Sequence, residues 1–179
     1  MASLRMYRIE DKYIRYLKSR DSKVQDNKDR KRPYVGVVLK VGSYQYFVPL
    51  ESPKPNHAKI KPGKHIMKID GGKLGLMGFN NMIPVHIDAI EMIDINAEPD
   101  QQCADLLRRQ VSFINNHKSE IYSKANDTYY DVTTGKNKFL MSICCDFKKL
   151  EYASDRYNPL YKCQKKKSKA NQQSETTDV

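Results

Sequence analysis

Tryptophan is absent from this chain, cysteine is scarce, and no apolar run approaches the length of a membrane span. The four cysteines, Cys103, Cys144, Cys145 and Cys163, form no Cys-x-x-Cys pair and have no histidine at zinc-ligand spacing, so neither a zinc site nor a disulfide framework is supported. Cytoplasm is the expected compartment. The N-terminus, Met-Ala-Ser-Leu-Arg-Met-Tyr-Arg, is charged where a secretory signal needs an apolar core. A nucleotide fingerprint is also missing. Around Gly71-Gly72-Lys73, Leu74 stands where a phosphate loop needs Ser or Thr, and Met67 where it needs its first glycine. No metal or cofactor motif is present, and no acidic residue occurs between Pro53 and Ile69.

What is present is positive charge. Lys and Arg number 32 against 21 Asp and Glu, a net charge of +11 in 179 residues. That excess favours an acidic partner, nucleic acid first and an anionic membrane surface second, with a merely soluble basic protein as the bland reading. A membrane role lacks a basic amphipathic anchor with exposed Leu or Phe. A hydrophobic content of 39% is enough for an ordinary core, and the length fits one domain plus a tail. Residues 1–162 read as that domain; residues 163–179 are Lys, Gln, Ser and Thr with almost nothing apolar, and are expected to be disordered.

The stretch from Tyr34 to Lys68 organises the rest. Tyr34 to Val41 and Tyr44 to Val48 are short, β-branched and aromatic, and Gly42-Ser43 between them predicts a two-residue hairpin. Pro49, Pro53 and Pro55 follow and predict that the chain leaves the sheet after Val48 in a stiffened loop, Glu51-Ser52-Pro53-Lys54-Pro55-Asn56-His57. Upstream, Leu4 to Ile9 reads as a strand and Asp11 to about Lys18 as a helix whose basic face is either solvated or a binding surface. Ser19 to Pro33 is a long polar loop that delivers Arg30, Lys31 and Arg32 to the first hairpin strand.

Downstream, His65 to Ile69, Leu74 to Phe79, Met82 to Val85 and Ile87 to Ile95 read as strands. The glycines in the second suggest close backbone approach. Helical spacing runs from Gln101 to about Ala125 with a break near Asn115-Asn116. Asp127 to Asn137 then reads as turns, Phe139 to Cys144 as a last strand, and Phe147 to Arg156 as a helix capped by Asp146.

Cleaving RNA without a metal requires a base for the 2'-hydroxyl proton, cations for the phosphorane and an acid for the leaving 5'-oxygen. Ser52 offers a hydrogen bond, Lys54 and Arg32 charge, and His57 proton transfer near neutral pH. Lys59, Lys61 and Lys64 follow with no counter-charge between them. Tyr34, Tyr44 or Tyr46 offer rings for stacking on splayed bases. The same residues suit a basic RNA-binding module without catalysis, and an SH3-like interaction barrel is a third reading.

Tyr13-Ile14-Arg15-Tyr16-Leu17-Lys18, Arg32-Pro33-Tyr34-Val35-Gly36-Val37-Val38-Leu39, Pro49-Leu50-Glu51-Ser52-Pro53-Lys54 with His57, Asn81-Met82-Ile83-Pro84-Val85, Phe113-Ile114 and Cys145-Asp146-Phe147 with Leu150 resemble, in order and spacing, the ToxN/AbiQ endoribonuclease toxins of type III toxin-antitoxin systems. The resemblance implies an α+β fold, a strongly twisted antiparallel, partly barrel-like sheet wrapped by helices, similar to MazF-type toxins. It implies metal-independent cleavage of A-rich single-stranded RNA to 2',3'-cyclic phosphate and 5'-hydroxyl ends, growth arrest or abortive infection against phage, and no cofactor. It also implies an antitoxin RNA of short pseudoknotted repeats that the toxin processes, and a closed ring expected to hold three toxins with three RNA units. The family's Ser-Pro-Lys pair falls on Ser52 and Lys54, its basic position on Arg32 and its helix aromatic on Phe113. Here the basic position is Arg where Lys can occur, an upstream Tyr is missing, and Glu51 replaces a hydroxyl residue. Arg32 is therefore assigned to charge stabilisation only, and the general base is left open.

Overall fold

Seven short strands and five α-helices carry the chain through residues 3–157, the part that the computed structural model describes. The strands are β1 (Arg5–Ile9), β2 (Tyr34–Val41), β3 (Tyr44–Glu51), β4 (Ile66–Lys68), β5 (Leu76–Gly78), β6 (Ile83–Pro84) and β7 (Ile90–Met92). They form one antiparallel sheet in the order β4-β5-β3-β2-β1-β7, with β6 beside β3. The end strands β4 and β7 do not pair with each other, so the sheet is not closed.

The β2–β3 hairpin forms as its pattern requires, turning at Gly42 in a left-handed conformation between Val41 and Tyr44. Its register shifts between Gly36 and Leu39, and the Phe47 ring crosses directly over Gly36, where a Cβ would lie 2.2 Å from the ring. Only glycine fits under that ring.

The helices are α1 (Asp11–Arg20), α2 (Gln101–Asn116), α3 (Lys118–Thr133), α4 (Lys138–Ile143) and α5 (Phe147–Asp155). Asp146 caps α5 by accepting from Lys149 N at 3.0 Å, and α2 gives way to α3 at His117, one residue past the expected break. α3 packs on β2, and α5 packs on β6 and α1. There the buried Tyr13 hydroxyl donates to Pro84 O at 2.7 Å, and Tyr16 donates to Ala153 O at 2.9 Å. Glu151 of α5 is a buried hub: Tyr46 donates to it at 2.9 Å, Tyr129 at 2.7 Å and Lys148 at 2.9 Å. Among the described residues, no helix is long and apolar enough to cross a membrane.

Three expectations are corrected. Asp127 to Asn137 is not turn-rich, because α3 runs on to Thr133. Its buried stripe Ile121, Ala125, Thr128, Asp131 is completed by polar residues, which hides the helix from a hydrophobic pattern. Phe139 to Cys144 is not a strand. Asn137 caps a short helix there by accepting from Leu140 N at 3.1 Å, and Phe139 and Met141 are left exposed. Pro49 does not end β3: it sits opposite Tyr34, and the strand continues to Glu51. The polar tail and the expected domain end at residue 162 lie outside the described residues.

Candidate active site

The continuation of β3 past Pro49 builds the site. Leu50 N donates to Pro33 O at 2.9 Å, and Leu50 O accepts from Arg32 Nη1 at 3.1 Å. On the other side Glu51 pairs with Leu76 of β5. The residue before Leu76, Gly75, has φ +111°, and a Cβ on it would lie 2.1 Å from Glu51 O. This is the close approach that the glycines of that strand suggest, and its target is the residue before Ser52. The strand end is therefore pinned from both sides.

Beyond it, Ser52, Pro53 and Lys54 are exposed, with Lys54 extended at φ −137° and ψ 148°. A single 3-10 turn, Pro55–Lys59, then closes through His57 N, which donates to Lys54 O at 3.0 Å. Ser52 and Lys54 are both exposed at the strand end, and the Lys54 ammonium turns back toward Glu51.

Glu51 is the polar centre of the loop. Its Oε2 lies 3.4 Å from Lys54 Nζ and 3.9 Å from His57 Nε2, and its Oε1 accepts from Gln25 Nε2 at 3.4 Å. Gln25 Nε2 also donates to Asn81 Oδ1 at 2.9 Å, and Asn81 Nδ2 donates to Lys23 O at 2.9 Å. The long loop between α1 and β2 is thereby tied to the strand end. Gln25 carries no one-dimensional signal, and Asn81 carries one only as the first residue of a motif of the family resemblance; the contact each makes at the strand end depends on a partner distant in sequence.

Several sequence-predicted residues take other positions. His57 is 2% exposed, its backbone and Cβ packed against Gly72, so it is not presented for proton transfer with a bound strand. Arg32 is 8% exposed, and its guanidinium donates to backbone carbonyls, Nε to Asp26 O at 2.8 Å and Nη1 to Leu50 O at 3.1 Å. It holds the loop rather than facing solvent. Tyr34 is 1% exposed and cannot stack on a base; burial raises its phenol pKa. Tyr46 is buried on Glu151, and the Tyr44 hydroxyl, donating to Asp155, has its pKa raised to about 12, first by that bond and then by desolvation. Both sit toward the opposite end of β3; Tyr44 is roughly 23 Å from Glu51 at strand rise.

Lys64 is paired with the buried carboxylate of Asp131 on α3 at 2.9 Å, which raises its pKa. Arg30 pairs with Glu91 of β7 at 2.8 Å, and its amide donates to Asp11 Oδ1 at 3.1 Å. Phe113 is half-buried on α2, stacked on His117 at 3.9 Å. α2 packs on the turn Ile69–Gly72, which itself packs on the 3-10 turn bearing His57. Lys31, Lys59 and Lys61 are exposed, with no carboxylate partner among the described residues. Positive charge without a carboxylate partner near the loop is therefore Lys31, Lys59 and Lys61, while Lys54, 54% exposed, is paired with Glu51.

A family model described as Toxin ToxN, type III toxin-antitoxin system, matches residues 5–155. An endoribonuclease ToxN of Bacillus thuringiensis subsp. kurstaki is 36% identical over 162 residues, spanning 86% of this chain and 84% of the relative. Among solved structures, a chain from work on selective toxin inhibition by a non-coding RNA pseudoknot in bacterial type III systems aligns with a TM-score of 0.78 at 35% identity, covering 87% of this chain and 98% of the other. AbiQ, a lactococcal anti-phage endoribonuclease of a type III system, aligns with a TM-score of 0.77 at 26% identity, covering 86% and 97%.

Proposed function

This chain belongs to the ToxN toxin family of type III toxin-antitoxin systems, and from that premise we propose that it is an endoribonuclease toxin acting at the exposed Ser52-Pro53-Lys54 segment. The observation that carries the reading is the pinned end of β3. Arg32 and Pro33 fix Leu50 on one side, Gly75 closes on Glu51 on the other, and the next three residues emerge exposed, a hydroxyl and an ammonium among them. A strand held that firmly positions reacting groups without ordering them at the moment of reaction.

The reaction is attack of the 2'-hydroxyl on the adjacent phosphorus, without a metal, leaving 2',3'-cyclic phosphate and 5'-hydroxyl ends on A-rich single-stranded RNA. Lys54 stabilises the charge gathering on the phosphoryl oxygens, and Ser52 donates a hydrogen bond to one of them. Lys31, Lys59 and Lys61 bind the phosphate backbone. The cognate inhibitor is an antitoxin RNA of short pseudoknotted repeats, which the toxin processes and with which it closes into a ring of three toxins and three RNA units in the cytoplasm. Release from that RNA arrests growth and aborts phage infection.

The test is cleavage of A-rich RNA by the pure protein in EDTA, with end-group analysis. Cyclic-phosphate ends from the unmutated protein, lost in both Ser52→Ala and Lys54→Ala, are expected. Salt-sensitive binding without any cleavage would instead make the protein a basic RNA-binding module. Cleavage that survives both substitutions would remove the site assignment.

A further inference from the structure

Metal-free RNA cleavage needs a proton acceptor, and the sequence left that role without an occupant. The structure narrows the choice by burial. His57 is enclosed, and Arg32 is covered and spent on two backbone carbonyls. Ser52 and Lys54 are exposed, but a serine hydroxyl does not take a proton at neutral pH, and Lys54 is a cation. One group at the strand end has both the chemistry of a base and access to a strand. It is the carboxylate of Glu51, 29% exposed.

From this geometry we propose that Glu51 is the general base that accepts the 2'-hydroxyl proton, with Lys54 as its partner acid. The inference rests on the reading that this loop cuts RNA. Glu51 is held where a base must be, because its backbone is fixed by Leu76 of β5 and the preceding Gly75, and its Oε1 by the Gln25 amide. Its Oε2 meets Lys54 Nζ at 3.4 Å, and the exposed Ser52 is the next residue in the chain. The charged and titratable groups facing it are Lys54 and His57 of its own loop. The α1–β2 loop brings the neutral Gln25, and β5 brings Leu76 with the preceding Gly75.

The step balances. A Glu51 oxygen takes the proton from the 2'-hydroxyl, and the freed 2'-oxygen pair forms the bond to phosphorus. The bond from phosphorus to the 5'-oxygen breaks, and that oxygen takes a proton from the Lys54 ammonium. The products are a 2',3'-cyclic phosphate and a 5'-hydroxyl, with Glu51 protonated and Lys54 neutral. The 3.4 Å contact between them lets the proton pass from Glu51 to Lys54 and restores both groups for the next turnover. Nothing beyond water and the RNA is required.

The experiment compares the unmutated protein with Glu51→Gln, Glu51→Asp and Lys54→Ala. Substrates are an A-rich oligoribonucleotide and its counterpart with a 5'-bridging sulfur at the cut site, whose thiolate leaves without a proton. Positioned bases contribute about 10²–10⁴-fold. Glu51→Gln is therefore expected to lose about 10²-fold or more in kcat on both substrates, and the acid limb of its pH–rate profile should vanish. Glu51→Asp should keep that limb. Lys54→Ala should recover in part on the sulfur substrate, keeping the loss of charge stabilisation, whereas Glu51→Gln should not recover. Binding of the 2'-deoxy oligonucleotide should be retained or tightened in Glu51→Gln, since no proton moves in binding and a negative charge is removed beside the phosphate.

A Gln variant that cleaves at the unmutated rate or keeps the acid limb overturns the assignment. So does one that no longer binds the 2'-deoxy strand, because Glu51 would then be a positioning residue. Absence of cyclic-phosphate ends from the unmutated protein is a different outcome, and it removes the parent reading together with this one.

Discussion

Gly75→Ala is the sharpest perturbation of the pinned strand end. At φ +111° an L-residue is strained, which costs about 1–3 kcal/mol. The added Cβ would also stand 2.1 Å from Glu51 O, 3.3 Å from Glu51 C and 3.6 Å from Pro53 N, so backbone must move, and backbone overlap of this kind adds about 1–3 kcal/mol. The sum is about 2–6 kcal/mol, which at about 2–4 °C per kcal/mol lowers Tm by roughly 4–24 °C in a domain of this size. Relief of the overlap means retreat of the Glu51 carbonyl by about 1 Å, a misplacement that can cost about 10²-fold in rate.

Gly42→Ala is the matched control. Its φ is +57°, but nothing lies within 4 Å of its Cβ position. It carries only the left-handed backbone cost of about 1–2 kcal/mol, at the hairpin turn and away from the loop. Thermal unfolding by circular dichroism and initial rates on A-rich RNA, measured for both variants, separate the two effects. If Gly75→Ala is as stable as Gly42→Ala and cleaves at the unmutated rate, the close approach does not set the geometry of Ser52 and Lys54, and the argument from the pinned strand end fails.

The remaining predictions concern residues whose partners are now visible. Arg32→Lys keeps the charge but loses the fork that reaches both Asp26 O and Leu50 O. Urea denaturation is expected to show a loss of about 1–3 kcal/mol, and a variant that is fully stable yet inactive would return Arg32 to direct charge stabilisation of the phosphate. Lys64 has its pKa raised from 10.5, first by the hydrogen bond and then by the charge of Asp131. A raised folded-state pKa means that the stabilisation is complete below the unfolded value and is lost as pH rises through the folded value. Stability measured from pH 9 to 12 should therefore fall more steeply for the unmutated protein than for Lys64→Met, and parallel curves would contradict the pairing.

Local chemistry in the sequence determined the β2–β3 hairpin, the helix break beside His117, the Asp146 cap and the proline-stiffened Ser-Pro-Lys segment, because alternation, turn glycine, capping and proline act within a few residues. The family was also legible there, carried by short motifs in order. Tertiary structure alone decided what partners distant in the chain control. Pro49 stays in β3 because Leu50 and Glu51 find partners in Pro33 and β5, outweighing the missing donor. α3 continues because the burial of Asp131 is offset by Lys64, some 67 positions away. Arg32, Tyr34 and His57 share with Ser52 and Lys54 the residue types that RNA chemistry uses. Burial separates the two groups, because a side chain covered by strand, turn or carbonyl cannot meet a substrate whatever its chemistry. Glu51 gains its place beside Lys54 in the same way, through Gln25 and Gly75, neither of which lies within twenty positions of it.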